Sequence, residues 1–111
     1  MAQLTSYRQH IKSLLSRYAA WDKPDERFES QLIFDEEHDH YLWLDLGWDE
    51  STRIYHPIMH FDLRDGKIWL QENMTDLDPA EELVEMGVPK DDIVLGLQPP
   101  YKRPYTDYGV A

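Results

Sequence analysis

The chain contains no cysteine. That removes disulfide staples, thiolate metal centres and cysteine nucleophiles together. It is also short of positive charge: 11 Lys and Arg stand against 22 Asp and Glu, a formal net charge of −11. Such a surface repels a phosphate backbone, so direct nucleic-acid binding is not expected. The acidic charge either keeps a small protein soluble or steers it onto a basic protein surface. No stretch approaches the ~18 apolar residues of a membrane span. The N-terminal Met1 to Thr5 lacks the basic region and apolar run of a secretory signal, so a cytoplasmic address is expected and no membrane. Phosphate-cradling glycine loops, dinucleotide fingerprints and nucleophile elbows are missing too, so the expectation is a binding protein without cofactor, not an enzyme.

What is present suffices for one hydrophobic core. The 111 residues are 41% apolar and 13% aromatic, which argues against disorder and for a single domain over residues 1–111. Leu4, Tyr7, Ile11, Leu14, Leu15 and Tyr18 recur at helical spacing and predict an amphipathic helix, capped at Thr5 or Ser6 and stopped before Pro24. Strand-like segments follow at 27–34, 40–46, 53–63 and 67–72. A second helix is signalled by Asp78 at the N-cap, Pro79 at the first helical position, Glu81 two residues on and Gly87 at the end. Ile93-Val94-Leu95 is a short apolar run, and the tail from Gln98 to Tyr105 reads as an extended, stiff segment. The predicted class is α+β: an N-terminal helix on a four-stranded antiparallel meander, then a second helix and an extended C-terminal tail.

The turns suggest a register. Asp65-Gly66 suits a two-residue type I′ turn that sets Leu63 opposite Ile68, Asp62 opposite Trp69 and Phe61 opposite Leu70. A tight turn at Glu50-Ser51 sets Leu46 opposite Tyr55, Leu44 opposite Pro57 and Leu42 opposite Met59. The looser 35–39 connection sets Leu32 opposite Leu42 and Phe34 opposite His40. Together these place Phe28, Leu32, Phe34, Leu42, Leu44, Leu46, Tyr55, Met59, Phe61, Leu63, Ile68 and Leu70 on one face for the first helix to cover. Pro57, lacking an N–H, predicts a local irregularity.

The tract from Gly66 to Asn73, then Ala80-Glu81-Glu82-Leu83-Val84, Gly87 to Gly96, and Gln98-Pro99-Pro100-Tyr101-Lys102-Arg103 resembles the XisI-like family, the fdxN element excision controlling factors of cyanobacteria. Tyr7-Arg8, Gln31 to Asp35, Asp39-His40-Tyr41 and Gly47-Trp48 extend the resemblance over nearly the whole chain. It implies a role in controlling programmed excision of a DNA element by a separate recombinase, beside a XisH-type partner that resembles a nuclease. It carries no catalytic residues across.

The residues themselves offer little chemistry. His56 and His60 share a strand face but sit ~13 Å apart, too far to bind one ion. In the register above His40 and His60 point to opposite faces, so no histidine pair converges with a carboxylate and no metal is expected. The 35–39 acidic turn lacks the glycine and spacing of a calcium loop, and Asp45 opposite His56 reads as a cross-strand ion pair. More informative is the face turned away from the helix, with Ile33, Tyr41, Trp43, Ile54, Ile58 and Trp69 among Gln31, His56, His60, Asp62 and Gln71. A solvated face should be mostly polar. Either Tyr41, Trp43, Ile58, His60 and Trp69 dock a partner or a second copy of the chain, or the C-terminal segment covers them. Tyr101, Lys102, Arg103 and Tyr105 form a cationic, aromatic patch that suits an intramolecular strap or a protein-docking segment.

Overall fold

The computed structural model describes residues 2–110. Helix α1 (Ala2–Trp21) is followed by β1 (Phe28–Asp35), β2 (His40–Asp49), β3 (Thr52–Arg64) and β4 (Lys67–Asn73), then α2 (Pro79–Glu85) and β5 (Ile93–Leu95). The predicted helix–meander–helix order holds, and the fold is α+β. α1 begins earlier than the Thr5 or Ser6 cap would allow; the Ser6 hydroxyl instead lies 3.1 Å from His10 Nε2, one turn on. α2 matches its start signals: Asp78 accepts from the Glu81 amide at 3.1 Å, Pro79 follows, and Gly87 leaves the helix at φ +102°.

Among the described residues the sheet has five strands, in the order β1-β2-β3-β4-β5. The fifth was not expected. Ile93, Val94 and Leu95 pair in parallel with Ile68, Trp69 and Leu70, a geometry open to them because α2 lies in the crossover between the two strands. The tail is not extended either. Residues Pro100–Tyr105 wind into a 3-10 helix, after which Gly109 bridges to Val94 at the sheet edge.

One layer of core fills the space between helices and sheet. Tyr7, Ile11, Leu14, Leu15 and Tyr18 of α1 join Ala80 and Leu83 of α2 against Tyr41, Trp43, Met59, Phe61, Leu63, Ile68, Leu70 and Ile93. Each of the Leu, Ile, Met and Phe side chains among them contributes roughly 1.5–3 kcal/mol on burial. Two features lock α1 to the sheet. Arg8 grips the Asp39 carboxylate with Nε at 2.8 Å and a second nitrogen at 3.1 Å, while the Tyr41 hydroxyl donates to the same carboxylate at 2.8 Å. Tyr7 donates its hydroxyl to Asp92. Among the described residues no helix is long and apolar enough to cross a membrane.

Two irregularities in the ladders set which residue faces where. The hairpin tip follows the expected register, with Leu46 opposite Tyr55 and Leu44 opposite Pro57. Past Pro57 the pairing shifts by one, so Trp43 meets Met59, Leu42 meets His60 and Tyr41 meets Phe61. Ile58 is the extra residue of this bulge. The irregularity expected at Pro57 is therefore real, and it inverts the inner half of β2: Tyr41 and Trp43 face the helix, whereas Leu42, Leu44 and Leu46 face away. In β1, Phe34 lies opposite Tyr41 and Leu32 opposite Trp43, not opposite His40 and Leu42. A second shift between His60 and Phe61 leaves Gln71 as the extra residue of β4. Leu63–Ile68, Asp62–Trp69 and Phe61–Leu70 pair as the Asp-Gly turn predicts.

Candidate functional site

The face turned away from α1 carries Asp35, His40, Asp62, Trp69 and Val94 as one row of cross-strand neighbours. His60, two residues before Asp62 on β3, shares that face by the period of the strand. Asp62 is 5% exposed. Its Oδ1 lies 2.7 Å from His40 Nδ1 and 2.8 Å from His60 Nε2, and its Oδ2 accepts from Gln71 Nε2 at 3.1 Å and faces Arg64 at 3.5 Å. Burial pulls the Asp62 pKa upward, but the hydrogen bonds from His40, His60 and Gln71 outweigh it and hold the carboxyl below its usual range. An ionised carboxylate only accepts, so both facing imidazole nitrogens carry their protons.

Beside this cluster, Trp69 is buried under two arginines. The guanidinium carbons of Arg64 and Arg103 lie 5.0 and 5.2 Å from its ring centroid. Arg103 also donates to the carbonyls of Gln98 at 3.1 Å and Gly96 at 3.3 Å, which pins the tail across the sheet. The crossing is tight: a side chain at Gly96 would begin 2.3 Å from Gln71 Oε1 and 3.1 Å from a Trp69 ring atom.

The expected docking residues therefore separate into three groups. Tyr41 and Trp43 are sealed in the core with α1, and Ile58 packs against that core. Placing them on an outward aromatic face is corrected by the bulge at Ile58, which reversed their direction; a dimer built on Trp43 has no anchor there. His60 and Trp69 do lie on the outer face, Trp69 covered by Arg64 and Arg103. Tyr101, Lys102 and Tyr105 are exposed along the 3-10 helix, while Arg103 is half-buried as the strap's fastening. Ile33 and Tyr55 leave apolar area open on the outer face.

The His40–Asp62–His60 convergence was missed. The register that put His40 on the core face separated it from His60. A sharper reading of the first hairpin would have turned His40 outward, and the bulge at Ile58 then brings His60 to the same face. Asp35 accepts from the Glu37 and His38 amides at 3.1 and 3.0 Å, and Asp39 takes φ +61°. That is a side-chain-capped turn closing on a left-handed residue, and it sets Asp35 opposite His40.

Fold and face together define an α+β protein whose sheet carries a polar histidine–carboxylate cluster and a C-terminal strap on its outer side. The family model described as XisI protein matches residues 1–110, and the chain belongs to the XisI family. A XisI-like protein from Anabaena variabilis is 59% identical, with 97% of this chain and 99% of that chain covered and a TM-score of 0.93. The fdxN element excision controlling factor XisI from Anabaena variabilis is 36% identical, with 98% and 99% covered and a TM-score of 0.89. A search of curated proteins found no match.

Proposed function

We propose that this chain is a non-enzymatic, cytoplasmic regulatory subunit that controls excision of a DNA element by binding a XisH-type, nuclease-like partner protein. The observation that carries the reading is the full-length likeness, at 36% identity, to an fdxN element excision controlling factor. The net charge of −11 supports a protein target over a nucleic-acid one. With Tyr41 and Trp43 withdrawn into the core, the binding surface is the outer sheet face at Ile33, Tyr55 and His60, continued by Tyr101, Lys102 and Tyr105 of the tail. The partner surface is basic, the kind that otherwise holds DNA, and masking it restrains or licenses cleavage.

Affinity isolation of the tagged full chain from native cells tests this. The expected result is co-purification of a XisH-type protein, weakened at least tenfold by the double substitution Tyr101→Ala, Tyr105→Ala. Recovery of the chain alone, or of a partner indifferent to both Tyr55→Ala and the tail substitutions, overturns the reading or its surface respectively.

A further inference from the structure

The outer face carries a three-donor notch of which the regulatory reading uses only His60, as a surface residue. One ligand atom each from His40, His60 and Asp62 lies within 4.8 Å of the others. The three come from adjacent strands: His40 is the cross-strand partner of Asp62, and His60 precedes it by two on β3. Their common focus is Asp62 Oδ1, at 2.7 and 2.8 Å from the two ring nitrogens. Gln71 and Arg64 engage the other oxygen, Oδ2. The carboxylate is thus turned so that Oδ1 faces the imidazoles, the kind of outer hydrogen bonding that orients metal ligands elsewhere.

We propose that His40 Nδ1, His60 Nε2 and Asp62 Oδ1 form a site for one divalent transition-metal ion of the zinc class. Two imidazole nitrogens and one carboxylate oxygen suit Zn²⁺, Co²⁺ or Ni²⁺, whereas Ca²⁺ and Mg²⁺ require mainly oxygen ligands. Two bonds of about 2.1 Å at a tetrahedral angle set ligand atoms roughly 3.4 Å apart, so each ring retreats from Oδ1 by about 0.6 Å. There is room for this: the side chains of His40 and His60 are 55% and 33% exposed. Each ring nitrogen gives up its hydrogen bond to Oδ1 as the ion takes its place, and a bound imidazole carries its proton on the other ring nitrogen. Arg64 opposes the ion, but its contact with Oδ2 is long, 3.5 Å, and its side chain is 52% exposed and can swing into water. The buried carboxylate and the overall negative charge draw a cation in. Three protein ligands leave further coordination positions open on the solvent side of His40, where water or a partner's side chain completes the shell.

The test uses the purified full chain stripped of metal, titrated with Co²⁺ by visible absorption and with Zn²⁺ in competition with a chromophoric chelator. One ion per chain is expected. Asp62→Asn and His40→Ala each weaken binding at least tenfold, and His10→Ala, on α1, leaves it unchanged. Should Asp62→Asn unfold the chain, the half-exposed His40 and the variant His60→Ala carry the test, with circular dichroism confirming their fold. Absence of a ligand-field band and of Zn²⁺ uptake overturns the proposal. So does binding that survives both histidine substitutions, which marks an adventitious ion elsewhere. Neither result depends on whether a XisH-type protein binds.

Discussion

Replacing Trp43 by alanine separates a core residue from a docking anchor. Trp43 is 3% exposed and packs in the cluster with α1. Truncating a buried tryptophan costs about 3–5 kcal/mol, against about 5–15 kcal/mol for a domain as a whole. One correction pulls toward the lower end. Trp43 Nε1 is buried with no hydrogen-bond partner among the described residues, so removing it relieves a penalty of about 1–3 kcal/mol. We therefore expect Trp43→Ala to lose about 3 kcal/mol, and the melting point to fall by about 12 °C at roughly 4 °C per kcal/mol. Trp43→Phe keeps most of the ring and drops the unpaired N–H, so it should stay within about 1 kcal/mol of the parent. Tyr55→Ala, on the outer face, should move stability by no more than about 0.5 kcal/mol. Urea unfolding followed by far-ultraviolet circular dichroism measures all three. A Trp43→Ala protein as stable as the parent but unable to bind a partner would refute the inward assignment and restore the aromatic docking face.

Two further expectations concern the backbone and the tyrosines. A Cβ at Gly47 would lie 2.0 Å from the Arg27 carbonyl oxygen and 2.5 Å from Phe28 Cα, backbone atoms that cannot step aside. Gly47→Ala should thus cost about 3 kcal/mol or more, and Gly66→Ala only about 1 kcal/mol, since its turn is open and only its φ of +76° is strained; equal urea midpoints for the two variants would contradict this. Burial, reinforced by Asp92 and Asp39 respectively, raises the pKa of Tyr7 and Tyr41, and burial with nearby Asp78 and Glu81 raises that of Tyr108. A phenol with a raised folded-state pKa is neutral in both states below about pH 10, and its contribution is lost as pH climbs past that value toward the folded pKa. Stability should hold up to pH 10 and decline beyond it, with these three among the seven tyrosines ionising late in tyrosinate absorbance. Simultaneous ionisation of all seven with no loss of stability would exclude it.

The local signals in the sequence were enough wherever one turn or cap decided the outcome. Asp65-Gly66 gave the β3–β4 pairing as far as Phe61 and Leu70, and Asp78, Pro79 and Gly87 bounded α2. What escaped was anything that depended on a count along two strands at once. A bulge adds one residue without altering the hydrophobic alternation that betrays a strand, and β2 reads Tyr-Leu-Trp-Leu-Asp-Leu, apolar on both sides. Either face of it could have been the inner one, so periodicity had no vote. The metal-ligand geometry inherited that error directly, because His40 and His60 converge only after Ile58 has shifted the phase. β5 escaped for another reason: three residues are too few to show a period, and its parallel pairing is fixed by the crossover through α2.

β4 accompanies β3 only from Met59 onward, so the stretch from Leu44 around Glu50 to Pro57 is flanked by β1 alone. The protein consequently tapers, broad where five strands share two helices and narrow at the hairpin tip, within an outline of 44 × 31 × 24 Å. Opening is expected to start at the narrow end, where β3 before Met59 has no β4 residue beside it, and to proceed there while the broad end stays intact. Any molecule that grips Tyr55 would quieten this loosely moored spur and spend part of its affinity doing so.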